Sequence, residues 1–227
     1  MPEPRRPSVA GIGSSLARRD PLWGPQVLLG ACILLDLALP SKLTAPFPIW
    51  LLPSLEGLAL LGLTAFAPHP KVRHSPWRRR VAIAITGLVS AANSASLVLL
   101  CHYLLRGGKT NGRVLIGAGM VLWVTNVLLF AVWYWQIDRG GPVTRVSDPE
   151  ALPDFLFVQM AEPRYAPANW MPTLLDYFYT SFTNATAFSP TDTMPLTPVA
   201  KSLMAGQSLT ALVTVGLVVA RAVNILS

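Results

Sequence analysis

The stretch Met171–Pro198, MPTLLDYFYTSFTNATAFSPTDTMPLTP, and the apolar run Leu203–Leu226 after it decide how this chain is read. The apolar part, Leu174–Phe188, would rise about 22 Å as a helix, short of the roughly 30 Å hydrocarbon core of a bilayer. Helix cannot continue through the next segment, because Pro190, Pro195 and Pro198 break it. A short aromatic helix, then a polar irregular strand, then a full-length apolar helix is the pattern of a re-entrant loop. Irregular backbone at membrane depth is tolerated only where protein buries it or water lines it.

The rest of the chain agrees with a membrane setting. Its 227 residues are 52% hydrophobic and 13% charged, whereas a soluble domain carries about 25% charged residues. The mean hydropathy is +0.46. So apolar a chain cannot cover a water-facing surface, which excludes a soluble globular enzyme, a disordered protein and a nucleic-acid-binding domain. Four apolar runs precede the decisive stretch: Trp23–Pro40, Phe47–Ala67, Val81–Leu105 and Val114–Ile137. The expected fold is all-α, a polytopic membrane protein with about five transmembrane helices and one short re-entrant helix. Its parts are a polar tail (1–22), a four-helix membrane region (23–137), an extramembrane loop (138–170), and the re-entrant segment with the final helix (171–227). The loop, rich in Pro, Gly, Asp and Glu, carries one apolar island, Phe155–Met160, and loops of that length are often functional.

The charge placement sets an orientation. Arg5, Arg6, Arg18 and Arg19 in the tail and Lys71, Arg73, Arg78, Arg79 and Arg80 in the second loop flank apolar runs. Such clusters mark the cytoplasmic side. With four crossings the 138–170 loop falls on the same side, and its Arg139 and Arg145 agree. The opposite loops hold Lys42, Arg106, Lys109 and Arg113. The re-entrant segment then enters from the cytoplasm and the C-terminus leaves on the far side. The expected location is the plasma (inner) membrane. The tail does not read as a cleavable signal peptide. Cys32 and Cys101 lie inside apolar runs and read as small buried hydrophobes, not a disulfide framework.

Several polar residues interrupt the apolar runs. Asp36 and Glu56 are carboxylates within the first two runs, and an intramembrane carboxylate is by default a candidate proton or cation site. Asn93 and Asn126 fit interhelical hydrogen bonding. Trp133, Tyr134 and Trp135 fit an interfacial aromatic belt. Asp176 suits the positive N-terminus of the short helix, and Arg221 suits snorkelling to the interface. Asp192 sits in irregular backbone between helix breakers and is the strongest single candidate. Gly206, Thr210 and Thr214, at i, i+4 and i+8, put small and hydroxyl groups on one face of the final helix, as packing stripe or pore lining. His102 has no Cys or His partner at ligand spacing, so no metal is expected, and no cofactor either. No phosphate loop, H-E-x-x-H, G-x-S-x-G or paired cysteines occur, and the chain is not read as an enzyme.

The segment Tyr177–Asn224 resembles the second half of a tetrameric pore-loop cation channel of the potassium-channel kind. The matching pieces are the aromatic, Thr-rich YFYTSFTNAT, the spacing Asp192-x-x-Pro195-x-Thr197, and Lys201 opening the last helix. The stretch is also similar to an uncharacterised family of bacterial membrane proteins. The likeness covers about 50 residues. Aligned on Asp192, the filter positions read Ala187-Phe188-Ser189-Pro190-Thr191, without the glycines and tyrosine of a potassium filter. Successive carbonyls cannot then point down one axis, since alternate residues need φ > 0. The resemblance implies a homotetramer in the lipid bilayer, passing monovalent cations past side chains. Thr186, Ser189, Thr191 and Asp192 are the expected filter residues, and Thr210 and Thr214 the expected lining. Two other readings stand beside it: a non-conducting structural membrane protein using the 138–170 loop, and a small carrier using Asp36 and Glu56.

Overall fold

The computed structural model describes residues 24–39, 54, 57, 60–61, 76–105, 111–148, 150–167, 170–186 and 192–226. They are mostly helical. We label α1 Gly24–Leu37, α2 Pro76–Leu105, α3 Gly112–Ile137, α4 Pro142–Ser147, β1 Phe155–Leu156, α5 Val158–Ala161, α6 Leu174–Thr186, β2 Met194–Pro195 and α7 Pro198–Leu226. Three helical spans, Arg79–Leu104, Gly112–Gly140 and Pro198–Val223, are long and apolar enough to cross a membrane. These spans, with the apolar composition, fit a helical membrane protein. At 14 residues α1 is shorter, about 21 Å. The run expected over Phe47–Ala67 lies largely outside the described residues.

The third helix is the axis of the bundle, and α1, α2, α6 and α7 all pack against it. Each runs antiparallel to it. Thr86 and Ser90 of α2 meet Gln136 and Trp133 in that order. Cys32 of α1 packs with Leu129, and Leu39, just past its end, packs with Leu122. In α7, Met204 packs with Tyr134 and Val218 faces Gly119. In α6, Tyr177 packs beside Tyr134, while Phe182 meets Trp123. All four neighbours thus begin at the end where α3 finishes.

That end carries the 138–170 loop. The chain reverses after α3 through Asp138-Arg139-Gly140-Gly141, with φ of 52° at Arg139, 72° at Gly140 and 102° at Gly141. Glycine takes such angles freely; an arginine there is strained by Cβ. Gly141 has a second reason to lack a side chain, since a Cβ would sit 3.1 Å from the Gln136 carbonyl and 3.2 Å from Arg79 Nε. The loop is folded, not free. Its apolar island is the reason: Phe155 and Phe157 are buried in one aromatic cluster with Tyr134, Trp135 and Tyr177.

The Trp133–Trp135 cluster accordingly departs from the expected lipid-facing belt. Tyr134 is fully buried and Trp135 nearly so. Trp133 donates its indole N–H to Ser90 Oγ at 2.9 Å. The loop supplies the protein surface that covers these rings.

Candidate functional site

The short helix α6 is the element that the sequence singles out, and its sequence explains how it starts. Thr173 stands just before it, and its N–H and hydroxyl both donate to Asp176 Oδ2 at 2.7 Å. This is one half of a capping box, with the acid in the first turn favoured by the helix dipole. Asp176 is thus engaged in capping.

Thirteen residues later, at Thr186, the helix ends beside the middle of α3, where Phe182 meets Trp123 edge-on at 6.0 Å. The chain is next described at Asp192, and by β2 it is back beside the loop. Phe155 pairs with Pro195 and Leu156 with Met194 in an antiparallel ladder. The Leu196 N–H donates to the Asp154 carbonyl at 2.8 Å. So the chain leaves the loop end as α6 and returns to the same end before α7.

Two polar networks hold this excursion in place. The inner one centres on Gln207 of α7, which is fully buried. Its Nε2 donates to Ser181 Oγ at 2.6 Å and to the Ser181 carbonyl at 2.9 Å. Its Oε1 accepts from the Tyr134 hydroxyl at 2.5 Å and from Asn184 Nδ2 at 2.8 Å. Ser181 Oγ donates on to the Val127 carbonyl at 2.7 Å, and Asn184 Nδ2 reaches the Met204 carbonyl at 3.0 Å. Asn126 donates to the Gln207 carbonyl at 3.4 Å, the interhelical role expected of it. One amide thereby ties α3, α6 and α7 together at a depth where unpaired polar groups are costly.

The outer network lies in the loop. Asp138, fully buried, accepts from the Asp154 N–H at 2.8 Å, the Phe155 N–H at 3.3 Å and the Tyr177 hydroxyl at 2.5 Å. Asp154 in turn accepts from the Arg139 N–H at 2.9 Å and the Thr197 hydroxyl at 2.6 Å. Arg145 is 2% exposed and lies over the rings of Trp135 and Tyr177, 5.5 and 5.2 Å from their centroids. Its Nη1 donates to the Trp135 and Asp138 carbonyls at 2.7 and 3.2 Å, satisfying the C-terminal turn of α3. The loop is a strap from the end of α3, across α6, to the start of α7.

The expected site residues are distributed as follows. Thr186 ends α6, exposed, its hydroxyl donating to the Phe182 carbonyl at 2.9 Å. Asp192 is exposed at the loop end. Ser189, Thr191 and Glu56 lie outside the described residues. Thr210 is half-buried and Thr214 is 1% exposed, each donating to the carbonyl four residues earlier. Thr214 therefore faces the interior of the chain, whereas Thr210 and Gly206 lie on the more open side of α7. The stripe rotates inward along α7, because an i, i+4 spacing advances 40° past a full turn. Asp36 is half-buried on α1, with both carboxylate oxygens buried.

Gln207 and the Asp138–Arg145 pair are the residues that sequence reading passed over. The signal for Gln207 was an amide near the start of an apolar run. Asp138 and Arg145 look like ordinary loop charges until the aromatic island folds over them. Among the described residues, no three His, Cys, Asp or Glu side chains converge to hold a metal ion. No protein-family model matches the chain, and no curated protein or solved structure matches it either.

Proposed function

We propose that the protein is a cation-permeable pore of the pore-loop kind, or a degenerate relative of one, built from four copies around the 174–214 segment. In this reading five helices cross the plasma membrane, and α6 with the chain returning to β2 forms a re-entrant loop entered from the cytoplasmic side. One observation carries it. A 13-residue helix departs from and returns to one end of the bundle while polar side chains pin it to two spanning helices. The end of α6 lies partway along α3 and is polar, its Phe182, Thr183 and Asn184 carbonyls accepting from the Thr186 and Ser208 hydroxyls, which suits a protein- or water-lined position over lipid.

The chemistry follows from the side chains. Asp192, exposed at the loop end, attracts cations as acidic rings do. Hydroxyls of Thr191, Ser189 and Thr186 replace part of the hydration shell, and Thr210 lines the route beyond. The strap supports the reading by fixing the return of the loop through Asp154 and Thr197.

Two measurements test it. The mass of the particle held in a nanodisc is expected at four copies of the chain; a monomer or dimer removes the pore and leaves a non-conducting structural membrane protein. In liposomes, Asp192→Asn is expected to cut cation flux, and unchanged flux removes Asp192 from the mechanism.

A further inference from the structure

Three helices meet in a layer away from α6. In the layer nearer the loop end, Cys32, Val89 and Leu129 pack together. In the layer nearer the other end, Leu39, Leu97 and Leu122 pack together. Helical spacing fixes what lies between. Asp36 is i+4 from Cys32 and three before Leu39. Asn93 is i+4 from Val89 and four before Leu97. Thr125 is i+3 from Leu122 and four before Leu129. Each therefore sits on the inward face of its own helix, at one level, between two apolar layers.

All three bring oxygen atoms that lack a hydrogen-bond partner among the described residues. These are both carboxylate oxygens of Asp36, Asn93 Oδ1 and Thr125 Oγ1, all shielded from solvent. Asn93 is 3% exposed and Thr125 0%. A buried polar atom without a partner is costly, and a buried carboxylate more so. Three independent residues bearing this cost in one layer call for a common occupant.

We propose that Asp36, Asn93 and Thr125 bind a small monovalent alkali cation at this layer. Carboxylate, amide and hydroxyl oxygens are hard ligands that suit alkali and alkaline-earth ions over transition metals. A single carboxylate in apolar surroundings balances one positive charge, which selects a monovalent ion over a divalent one. The site is separate from α6 and Asp192 and needs neither a tetramer nor flux, so it stands or falls apart from the pore reading.

Thermal unfolding of the full chain in detergent is the test, with NaCl, LiCl or KCl replacing choline chloride at constant ionic strength. One of the alkali ions is expected to raise Tm with a saturable dependence, since a ligand of the folded state stabilises it by mass action. Asp36→Asn should lose that increment while still unfolding cooperatively. Asn93→Ala and Thr125→Val should each raise the half-saturating concentration by roughly tenfold, the equivalent of one lost ligand. Because a variant can fail to fold, a second readout uses the unaltered protein. A hydrophobic carbodiimide should modify Asp36, found by mass spectrometry, and the stabilising ion should block it. A Tm indifferent to the alkali ion, an increment that survives in Asp36→Asn, or labelling that no alkali ion slows would overturn the site and leave a protonated Asp36 donating to its neighbours.

Discussion

At the scale of the residue, the structure concentrates its demands on a few buried polar side chains. Gln207 accepts and donates four hydrogen bonds, two from each end of its amide. Gln207→Leu would keep the volume and leave Tyr134, Asn184 and Ser181 short of partners. Chemical or thermal unfolding should show a loss of about 2–4 kcal/mol, the cost of several unsatisfied groups. Ser202→Ala, at an exposed position of the same helix, should change nothing measurable. In the strap, Asp138→Ala removes the acceptor of two backbone N–H groups and of the Tyr177 hydroxyl and should cost about 3 kcal/mol. Asp138→Asn keeps Oδ1 for the backbone bonds and should cost less than half as much. Asn126 and Asp176 were legible in the sequence, because an amide inside an apolar run and an acid in a first helical turn have few other uses. Asp138 was not, because its burial depends on Phe155, seventeen residues away.

At the scale of the element, close approach decides which glycines matter. A Cβ on Gly119 would run into Val218 Cγ2 across the α3–α7 crossing. Valine in a helix has one strongly preferred rotamer, so it cannot turn aside. Gly119→Ala should therefore destabilise the protein by about 1–3 kcal/mol. Gly117, two residues earlier, faces open space, and Gly117→Ala should be neutral or stabilising by up to about 1 kcal/mol through helix propensity. Melting temperatures of the two variants side by side check both. The strap is an element with its own test. Thr197→Ala removes the 2.6 Å bond to Asp154 that joins it to α7. Limited proteolysis should then cut within 138–170 several times faster than in the parent; equal rates would mean that the β1–β2 ladder and the aromatic cluster suffice to hold the loop.

At the scale of the whole molecule, the arrangement around α3 gives the protein a polarity. All four neighbours of α3 start at one end, and that end holds Arg79, Arg139, Arg145 and Lys201. Basic residues there are expected to face the cytoplasm. A cysteine placed at Glu162, in a chain with Cys32 and Cys101 replaced by serine or alanine, should react with a membrane-impermeant reagent in inside-out vesicles and not in right-side-out ones. The final helix is the least covered of the three spans, and the α3 span the most. Its open surface is available to lipid or to further copies of the chain, and the particle mass tells these apart.

The membrane setting, the three long spans and the singular character of 171–198 were all determined by the sequence alone, because each depends on composition and local chain chemistry. Apolar length, prolines and capping residues act within a few residues of one another and read the same in any tertiary context. The inward turn of Trp133–Trp135, the burial of Asp138 and Arg145, the rotation of Thr214 away from the surface, and the shared layer of Asp36, Asn93 and Thr125 were decided only by the tertiary structure. Each depends on which face of one helix meets which face of another. The apolar runs here are hydrophobic nearly all round, so periodicity leaves that choice of face open until the helices pack.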